Sequence, residues 1–425
     1  MPDAARPSPA PVPGTSAESP STADGFARLA LEARARGDWD GCFRAFEAAA
    51  RLRPRNPVLL YNVAASAARA GRAPEALQAL RRLLAMQVAY EPAADSDFAA
   101  LRTDRGLRGV CDSMRALATR RVDGHGAVAF RLVQTDFIPE GLARGAHGEF
   151  FVGSVRHRKI VRVDRTGKAT DFTAEDEDSL FEVLGMAADT LRGFLWACSS
   201  AGPEMLGSMA ELDGRAALHG YCLNNPRLCE RLLPPDSAGP HNFNDLTVGP
   251  DGTVYVSDPV ARCVYRGGHD TGGLGVLVEP GKLVSPQGLA VSRDGRRLFV
   301  ADYVRGVAVV DLPSRAVREL GCPAGVTLYG LDALARHGDD LIAVQNGVRP
   351  HRVVRLTLNA AQDSVTAVRI LEMNHPLWDE PTLGAVAGDD FYYVANSHWS
   401  RFDREGRLRR PEELSAPVIL RLPLR

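Results

Sequence analysis

The sequence predicts two structural classes in one chain, a short all-α segment followed by a longer all-β segment. In the front part, apolar residues recur at three- and four-residue spacing among many Ala, Leu and Arg residues, which is typical of helices. Further on, Val, Thr, Tyr and Gly alternate with polar residues at period two, which indicates strands. At 425 residues the chain is also too long for one ordinary domain. We therefore expect a disordered tail over 1–22, a helical domain over 23–120 and a β domain over 125–425.

The helical segment contains a repeat in which Gly37 recurs as Gly71, with Pro54 closing the first unit. The other matched positions are apolar or small in both copies: Phe26, Leu29, Ala30, Ala33, Cys42, Phe46 and Ala49, against Leu60, Val63, Ala64, Ala67, Ala76, Leu80 and Leu83. Small residues at such positions let two helices pack closely, and the pattern resembles the tetratricopeptide repeat. This resemblance implies a groove for a protein or peptide partner; the structural alternative is a stabilising appendage.

The β segment repeats one pattern six times: an apolar strand, a polar turn that usually contains Gly or Asp, and a strand that ends in a small or polar residue. The copies cover residues 138–154, 182–199, 242–258, 285–302, 327–346 and 380–397. Units of this length, each with three or four short antiparallel strands, are typical of propeller blades. A closed ring also hides the strand edges that an open stack exposes. We therefore expect a six-bladed β-propeller, with segments 126–133 and 416–424 closing one blade from both chain ends.

Composition argues against two classes of partner. The chain has 51 basic and 52 acidic residues, a net charge of −1, which provides no electrostatic footprint for nucleic acid or an anionic membrane. No run of 18 apolar residues is present in the sequence, so no membrane span is expected. Residues 1–22 lack the apolar middle of a signal peptide. We expect a cytoplasmic location, with export as the alternative if the native start lies upstream.

Several common catalytic motifs are missing from the sequence. The seven cysteines form no CxxC pair, which argues against a zinc ribbon or a thioredoxin-like motif. Cys222 and Cys229 are near enough in sequence to pair across a loop, but buried free thiols are the favoured expectation. A Gly-rich phosphate loop, a GxSxG elbow and an HExxH helix are also absent, which argues against kinases, elbow-type serine hydrolases and zincins.

Three of the β repeats resemble those of the gluconolactonase and senescence-marker-protein group of propellers, to which strictosidine-synthase-like propellers are close. The matching stretches are FIPEGLA (137–143), FNDLTVGPDGTVYVSD (243–258) and PQGLAVSRDGRRLFVAD (286–302). The resemblance spans about residues 130–424. It implies a divalent metal, often calcium, at the mouth of the central channel, where carboxylates and amides ahead of the innermost strands hold it. In that family the metal polarises a lactone carbonyl.

Carried onto this chain, the resemblance implies Glu140, Asn244 and Gln287 as metal ligands, and Asn244 also as a substrate contact. Gln287 stands where the family has Asn. Asp245 is implied as a ligand or as the catalytic base. Each has a structural alternative: Glu140 as a solvated loop carboxylate, and the Asn244–Asp245 pair as the cap of a turn.

The fifth unit departs from the family pattern. Aligning YGL with the family's DGM places Tyr329 where the family has Asp, and Asp332 is then expected to point elsewhere. Tyr329 would contact substrate, but the site would lose a charge and bind calcium more weakly. Asp379 or Glu380 from the sixth unit is the alternative source of the lost carboxylate.

Histidines supply further candidates for acid–base catalysis. His241 directly precedes the Asn-Asp motif and has a side chain of suitable pKa for a general base. The structural alternative is a polar surface histidine. His351 and His398 are weaker candidates of the same kind.

Two functions from different classes follow from these patterns. The favoured one is metal-assisted hydrolysis of a small lactone or ester at the channel mouth, with the cation as Lewis acid lowering the pKa of bound water. The alternative is a non-catalytic binding or scaffold protein that uses the propeller and the helical repeat for ligand or protein interaction. Convergence of three or more oxygen ligands on one point separates the two.

Overall fold

The computed structural model describes residues 21–235 and 239–425 and contains two units. One comprises the helical front end to Arg120 together with residues 322–329 and 347–350. The other comprises residues 121–321, 330–346 and 351–425. The tail predicted over 1–22 lies, except for its last two residues, outside the described part of the chain.

The helical unit is built from two helical hairpins and a further helix. The helices are α1 (Ala23–Ala35), α2 (Trp39–Leu52), α3 (Pro57–Arg69), α4 (Ala73–Ala85) and α5 (Arg105–Thr119). Gly37 and Gly71 both adopt φ +73° and end the first helix of each hairpin, a backbone conformation that glycine adopts without steric cost. The Asp38 side chain then accepts a hydrogen bond from Gly41 N at 2.8 Å and caps α2. The hairpins follow the predicted period, and the identity of the unit as a tetratricopeptide repeat stays a prediction.

The two inserted segments contribute to the core of the helical unit. Val348 is buried in that core, and Tyr329 packs against it. The backbone N–H of Ala89 donates to the carbonyl oxygen of Arg349 at 2.7 Å. Arg55 donates to the carbonyl oxygen of Cys322 at 2.9 Å. Tyr329 is therefore a packing residue of this unit.

The second unit is a six-bladed β-propeller of four-stranded antiparallel sheets, as the sequence predicts. The strands by blade are β2 (Pro139–Arg144), β3 (Phe150–Ser154), β4 (Ile160–Val163) and β5 (Ala169–Asp171); β6 (Glu182–Asp189), β7 (Phe194–Ser200), β8 (Ala216–Cys222) and β9 (Leu228–Leu232); β10 (Leu246–Val248), β11 (Val254–Asp258), β12 (Cys263–Gly267) and β13 (Gly275–Val278); β14 (Pro286–Val291), β15 (Arg297–Asp302), β16 (Gly306–Asp311) and β17 (Val317–Glu319); β18 (Leu331–His337), β19 (Asp340–Gln345), β20 (Arg352–Leu358) and β21 (Val365–Met373); and β22 (Gly384–Ala387), β23 (Asp390–Val394), β24 (Val418–Pro423) and β1 (Ala127–Arg131).

Blade six is closed by both ends of the propeller segment, since β1 pairs with β24. This closure confirms the prediction from the terminal segments, and the outermost strand of blade six is the first strand of the chain. Within the blades, β3, β7 and β11 are buried along their whole length. Neighbouring blades cover both faces of these strands, which explains why they contain so many apolar residues.

Glycines at the start of the inner strands allow neighbouring blades to pack backbone against backbone. A Cβ atom at Gly141 would collide with the carbonyl oxygen of Leu184 in the next blade. We expect Gly141→Ala to destabilise the propeller by about 1–3 kcal/mol, the usual cost of overpacking. Gly275→Ala is the matched control, because Gly275 also lies in a strand but has open space around its Cβ position. Thermal melting measures both, and equal melting temperatures would contradict the close-packing argument.

One cysteine expectation is wrong. Cys222 and Cys229 form a disulfide across the turn between β8 and β9, with their Cα atoms 6.4 Å apart, because the hairpin brings the two strand ends together. The other cysteines are free: Cys42, Cys111, Cys198, Cys263 and Cys322. No helix in the described residues is both long enough and apolar enough to cross a membrane.

Candidate channel-mouth site

Each blade places one residue at an equivalent position, at the start of its inner strand. In β2, pairing with β3 skips from Pro139 to Leu142, so Glu140 and Gly141 bulge out of the ladder. The same shift occurs in β6, β14 and β18, and matching backbone hydrogen bonds define the position in the other two blades. We call the six equivalent residues the channel-mouth ring: Glu140, Leu184, Asn244, Gln287, Asp332 and Thr382.

The register corrects the sequence alignment of the fifth blade. In β18 the pairing skips from Leu331 to Leu334, so Asp332 is the residue equivalent to Glu140 and Gln287. Tyr329 precedes the strand and belongs to the other unit. The alignment on YGL failed because the fifth blade has Ala333 where blades one and four have Gly141 and Gly288. The signal was present as D-A-L, a variant of E-G-L and Q-G-L.

Glu140 is 6% exposed and is surrounded by negative charge. Burial raises the pKa of its carboxyl well above the usual value, and the charges of Asp332 and Glu380 raise it further. The indole Nε1 of Trp399 donates to its Oε2 at 2.7 Å and opposes the rise. The structure therefore places Glu140 among carboxylates in a buried position, and the solvated-loop alternative does not hold.

Asp245 is the second buried carboxyl of the site, at 8% exposure. Burial raises its pKa to about 8, and the charge of Asp332 contributes to the rise, while hydrogen bonds from the backbone N–H groups of Leu246 and Leu289 oppose it. Gly185 makes this burial possible, since a Cβ there would collide with Asp245. We call Glu140, Asp245, Asp332 and Glu380 the acidic group. Asp332 acts on both raised carboxyls, so it links the group electrostatically.

The amides of the ring bond to one another across neighbouring blades. Asn244 Nδ2 donates to Gln287 Oε1 at 2.5 Å, and Gln287 Nε2 donates to Ser285 Oγ at 3.1 Å. Asp332 Oδ2 accepts from Asn346 Nδ2 at 2.6 Å. The longer side chain of Gln287 thus still reaches the position beside Asn244.

A cavity of about 420 Å³ occupies the channel and is lined by residues from the inner strands of all six blades. Asp245 lies on its wall and is also a member of the acidic group, so it connects the two regions. Four exposed arginines line the cavity at the turns that follow the inner strands: Arg144, Arg192, Arg293 and Arg336. The cavity therefore has a buried carboxyl at Asp245 and positive charge at these turns.

The chemistry of the ring fits a hard cation. It presents carboxylates from Glu140 and Asp332 and amides from Asn244 and Gln287, the oxygen ligands that calcium prefers. The buried hydroxyl of Thr382 lies beside Glu140 but makes no hydrogen bond of normal geometry to any described residue. A carboxylate buried among other negative charges needs a proton or a cation to offset the repulsion. The departure inferred from Tyr329 is thus removed, because the fifth blade supplies Asp332.

A different cluster brings three ionisable ligand atoms together. Glu230, His269 and Asp270 place one ligand atom each within 4.8 Å of one another, the one such cluster in the described part of the chain. His269 Nδ1 lies 2.6 Å from Glu230 Oε1 and its Nε2 lies 3.2 Å from Asp270 Oδ2. Both ring nitrogens thus already face a carboxylate. The carboxylates of the acidic group do not form a cluster of this spacing.

His241 is held in a buried pair. Its Nδ1 lies 2.9 Å from Asp258 Oδ2, and the Asp258 side chain also accepts from the backbone N–H groups of Asn242, Val260 and Ala261. Asp302 plays the same role in blade four, where it accepts from Val284 N at 2.8 Å. The aspartate at the end of the second strand therefore anchors the preceding loop in both blades, and His241 pairs with one of these aspartates. A base role for His241 stays a prediction.

The sixth blade separates its two acidic candidates. Asp379 lies 2.8 Å from His398 and 3.5 Å from Arg401, and the hydrogen bond from His398 is the main reason that its pKa is lowered. Glu380 instead acts on Glu140. The carboxylate that joins the acidic group from this blade is therefore Glu380.

The propeller fold is shared with solved enzymes of several classes, while no protein-family model and no curated protein matches the chain. The PQQ-bound aldose sugar dehydrogenase of Streptomyces coelicolor has a TM-score of 0.48 and 16% identity, covering 70% of this chain and 98% of that one. A gluconolactonase of Xanthomonas campestris has a TM-score of 0.45 and 16% identity, with coverages of 67% and 86%. Virginiamycin B lyase of Staphylococcus aureus has a TM-score of 0.46 and 14% identity, with coverages of 64% and 80%. With identities of 16% or less and TM-scores below 0.5, these similarities carry no conclusion about the activity of this chain.

Proposed function

We propose that the protein hydrolyses a small lactone or ester at the mouth of the propeller channel. The observation that carries this proposal is the acidic group, in which Glu140 and Asp245 are buried carboxyls with raised pKa. Asp245 lies at the wall of the cavity, and buried carboxyls with raised pKa in or beside a cavity are typical of acid–base catalysis.

Asp245 is the acid–base residue in this proposal. A carboxyl with a pKa of about 8 both accepts and donates a proton near neutral pH, which is the range where general acid–base catalysis is most efficient. In its ionised form it removes a proton from the attacking water, and in its protonated form it returns that proton to the leaving oxygen. Its place on the cavity wall puts it beside a substrate bound in the channel.

The ring residues orient the substrate and hold the charge of the site. Trp399 fixes one oxygen of Glu140 by a hydrogen bond of 2.7 Å. A divalent cation held by Glu140, Asp332, Asn244 and Gln287, with calcium as the proposed metal, would polarise the substrate carbonyl as a Lewis acid. Asn244 is also the proposed substrate contact, since its amide lies in the channel-mouth ring and bonds to Gln287.

Thermal melting of metal-stripped protein, with calcium, manganese or zinc added back, tests the proposal first. A ligand at a hundred times its dissociation constant adds about 2.7 kcal/mol, or roughly 5 °C for a domain of this size. We expect one of these metals to raise the propeller transition by several degrees. The same samples should then hydrolyse members of a panel of small lactones and aryl esters, followed by proton release.

Two results would overturn the proposal. If no metal shifts the transition and no member of the panel is hydrolysed, the acidic group is not a hydrolytic centre. The remaining proposal would then be a binding protein, with a small ligand in the channel or a protein or peptide partner on the helical repeat. A pull-down against a random peptide library would test that second role directly.

A further inference from the structure

A chain of hydrogen bonds on blade six links a serine, a histidine and a carboxylate. Ser415 Oγ lies 3.4 Å from His398 Nε2, and His398 Nδ1 lies 2.8 Å from Asp379 Oδ2. Asn396 Nδ2 donates to Ser415 Oγ at 3.0 Å. Asn396 Nδ2 also lies 3.1 Å from His398 Nε2, so this nitrogen faces both the Ser415 hydroxyl and the Asn396 amide. The geometry matches that of a nucleophile, its base and the group that orients the base.

We propose that Ser415 is an acyl-accepting nucleophile, with His398 as its general base and Asp379 as the residue that orients the base. This is a second reactive centre beyond the proposed function, because it requires neither the channel-mouth ring nor a cation. The substrate class is an ester with a reactive acyl group. The sequence lacks the GxSxG elbow, because these three residues come from separate loops that only the closed sixth blade brings together.

The burial of the three residues suits this chemistry. His398 is 2% exposed, so its ring is shielded and held in one orientation, whereas Ser415 is exposed and open to substrate. The Asp379 side chain is 33% exposed and also lies 3.5 Å from Arg401. The hydrogen bond from His398 lowers the pKa of Asp379, so the carboxylate is ionised and accepts from Nδ1–H.

Both protonation states of His398 have partners. In the neutral ring, Nδ1–H donates to Asp379, and Nε2 is within reach of two donors, the Ser415 hydroxyl and the Asn396 amide. In the protonated ring, Nε2–H donates to the carbonyl oxygen of Ser415, which lies 3.2 Å away. A base that is satisfied before and after proton transfer is what the reaction requires.

The backbone holds this arrangement in place. Asn396 Oδ1 accepts from Val418 N at 2.7 Å, and its Nδ2 also donates to the Ala416 carbonyl at 3.1 Å. These bonds fasten the loop that carries Ser415 to the end of β23. The structural alternative is that these hydrogen bonds only anchor the loop. Labelling of Ser415 by a reactive probe distinguishes a nucleophile from an anchor.

The reaction balances with water as the only co-reactant. Ser415 Oγ forms a bond to the acyl carbon, its proton passes to His398 Nε2, and the carbonyl electron pair moves to oxygen. The C–O bond to the alcohol then breaks, and the alkoxide takes the proton from Nε2. Water, deprotonated by the same nitrogen, cleaves the acyl–Ser415 ester and restores the hydroxyl.

A fluorophosphonate probe on the full-length protein tests the proposal, with the adduct located by peptide mass mapping. We expect one adduct, on Ser415, in the presence of EDTA as in its absence. Ser415→Ala should remove it, and because the side chain is exposed the melting temperature should not change. His398→Gln should slow labelling at least 100-fold, within the range that a general base contributes. Asp379→Asn should slow it about tenfold.

Ser314 provides the internal control, since it is an exposed serine whose Oγ bonds to Asp311 at 2.6 Å and not to a histidine. It should remain unlabelled. No adduct on Ser415 in the wild-type protein would overturn the proposal, even if His398→Gln fails to fold. Labelling that is unchanged in a folded His398→Gln variant would also overturn it. Since the readout is independent of metal, failure here leaves the proposed function untouched, and loss of metal-dependent hydrolysis leaves this proposal untouched.

Discussion

Asp332→Asn is expected to abolish the metal-induced rise in melting temperature and to lower kcat/KM for lactone or ester hydrolysis at least 100-fold. Asp332 occupies the fifth-blade position of the ring, and its charge acts on both Glu140 and Asp245. Removing it takes a full negative charge from the proposed cation site. It also lowers the pKa of the two remaining carboxyls, which shifts Asp245 away from its proposed acid–base range.

Tyr329→Phe is the matched control for this prediction. The alignment on YGL assigns the fifth-blade position to Tyr329, whereas the strand register assigns it to Asp332. Comparing the two variants tests which assignment is right. Tyr329 packs against the core of the helical unit, and loss of its hydroxyl should leave metal binding and hydrolysis within about twofold of the wild type. A loss of metal response in Tyr329→Phe together with a retained response in Asp332→Asn would contradict the site as described.

The melting temperature of metal-free protein is expected to fall as the pH rises from 6.5 to 8. The folded-state pKa of Asp245 is about 8, above the value near 3.9 of an unfolded chain, so the folded state holds the extra proton in this interval. Its stabilising contribution is complete below about pH 4 and is lost as the pH rises through 8. Each such group costs about 2 kcal/mol over 1.5 pH units. Glu140 acts in the same direction.

Between pH 6.5 and 8, carboxyls with raised pKa change the stability, whereas groups whose contribution increases with pH no longer do. Burial lowers the pKa of His219 to about 4, so its stabilising effect grows with pH only up to the unfolded value near 6.5. Carboxyls with lowered pKa, such as Asp379, change stability only in acid. Above pH 6.5 the slope therefore reports on carboxyls whose pKa burial raises, which are Asp245, Glu140 and, outside the acidic group, Asp302.

Asp245→Asn should reduce the slope, because the raised carboxyl of Asp245 is no longer there to titrate in this interval. The exposed Asp213 supplies the control variant, Asp213→Asn, in which the slope should match the wild type. Calcium added at pH 8 should restore more stability than calcium added at pH 6.5, since the cation replaces protons that are lost at the higher pH. A flat profile in metal-free wild-type protein would show that Asp245 is ionised throughout and would contradict its raised pKa.

The pattern within each sequence repeat predicts much of the fold and part of the candidate site. The recurrence of a strand, a polar turn and a second strand predicts six blades, because each blade must bury both faces against similar neighbours. The terminal segments predict the closure between β1 and β24 for the same reason. Glu140, Asn244 and Gln287 are recognisable because each directly precedes a G-L or D-L pair at the start of an inner strand.

The remaining site residues depend on register and on contacts between distant segments. Asp332 was missed because its blade has Ala333 in the glycine position, and only the strand pairing shows where the bulge falls. Trp399 lies 259 residues from Glu140 in the chain, so no local pattern relates the two. The disulfide between Cys222 and Cys229 depends on how the β8–β9 hairpin turns, which spacing alone does not determine.

The sequence by itself determined the two structural classes, the six-blade repeat and its closure, because hydrophobic periodicity and turn residues act locally and repeat. Only the tertiary structure decided which polar residues meet. Ring closure brings one residue from each blade to the channel mouth, and the loss of solvent there raises the pKa of Glu140 and Asp245. It likewise brings Asp379, His398 and Ser415 together on one blade. Burial and proximity across the ring are properties of the closed fold, and a linear pattern does not contain them.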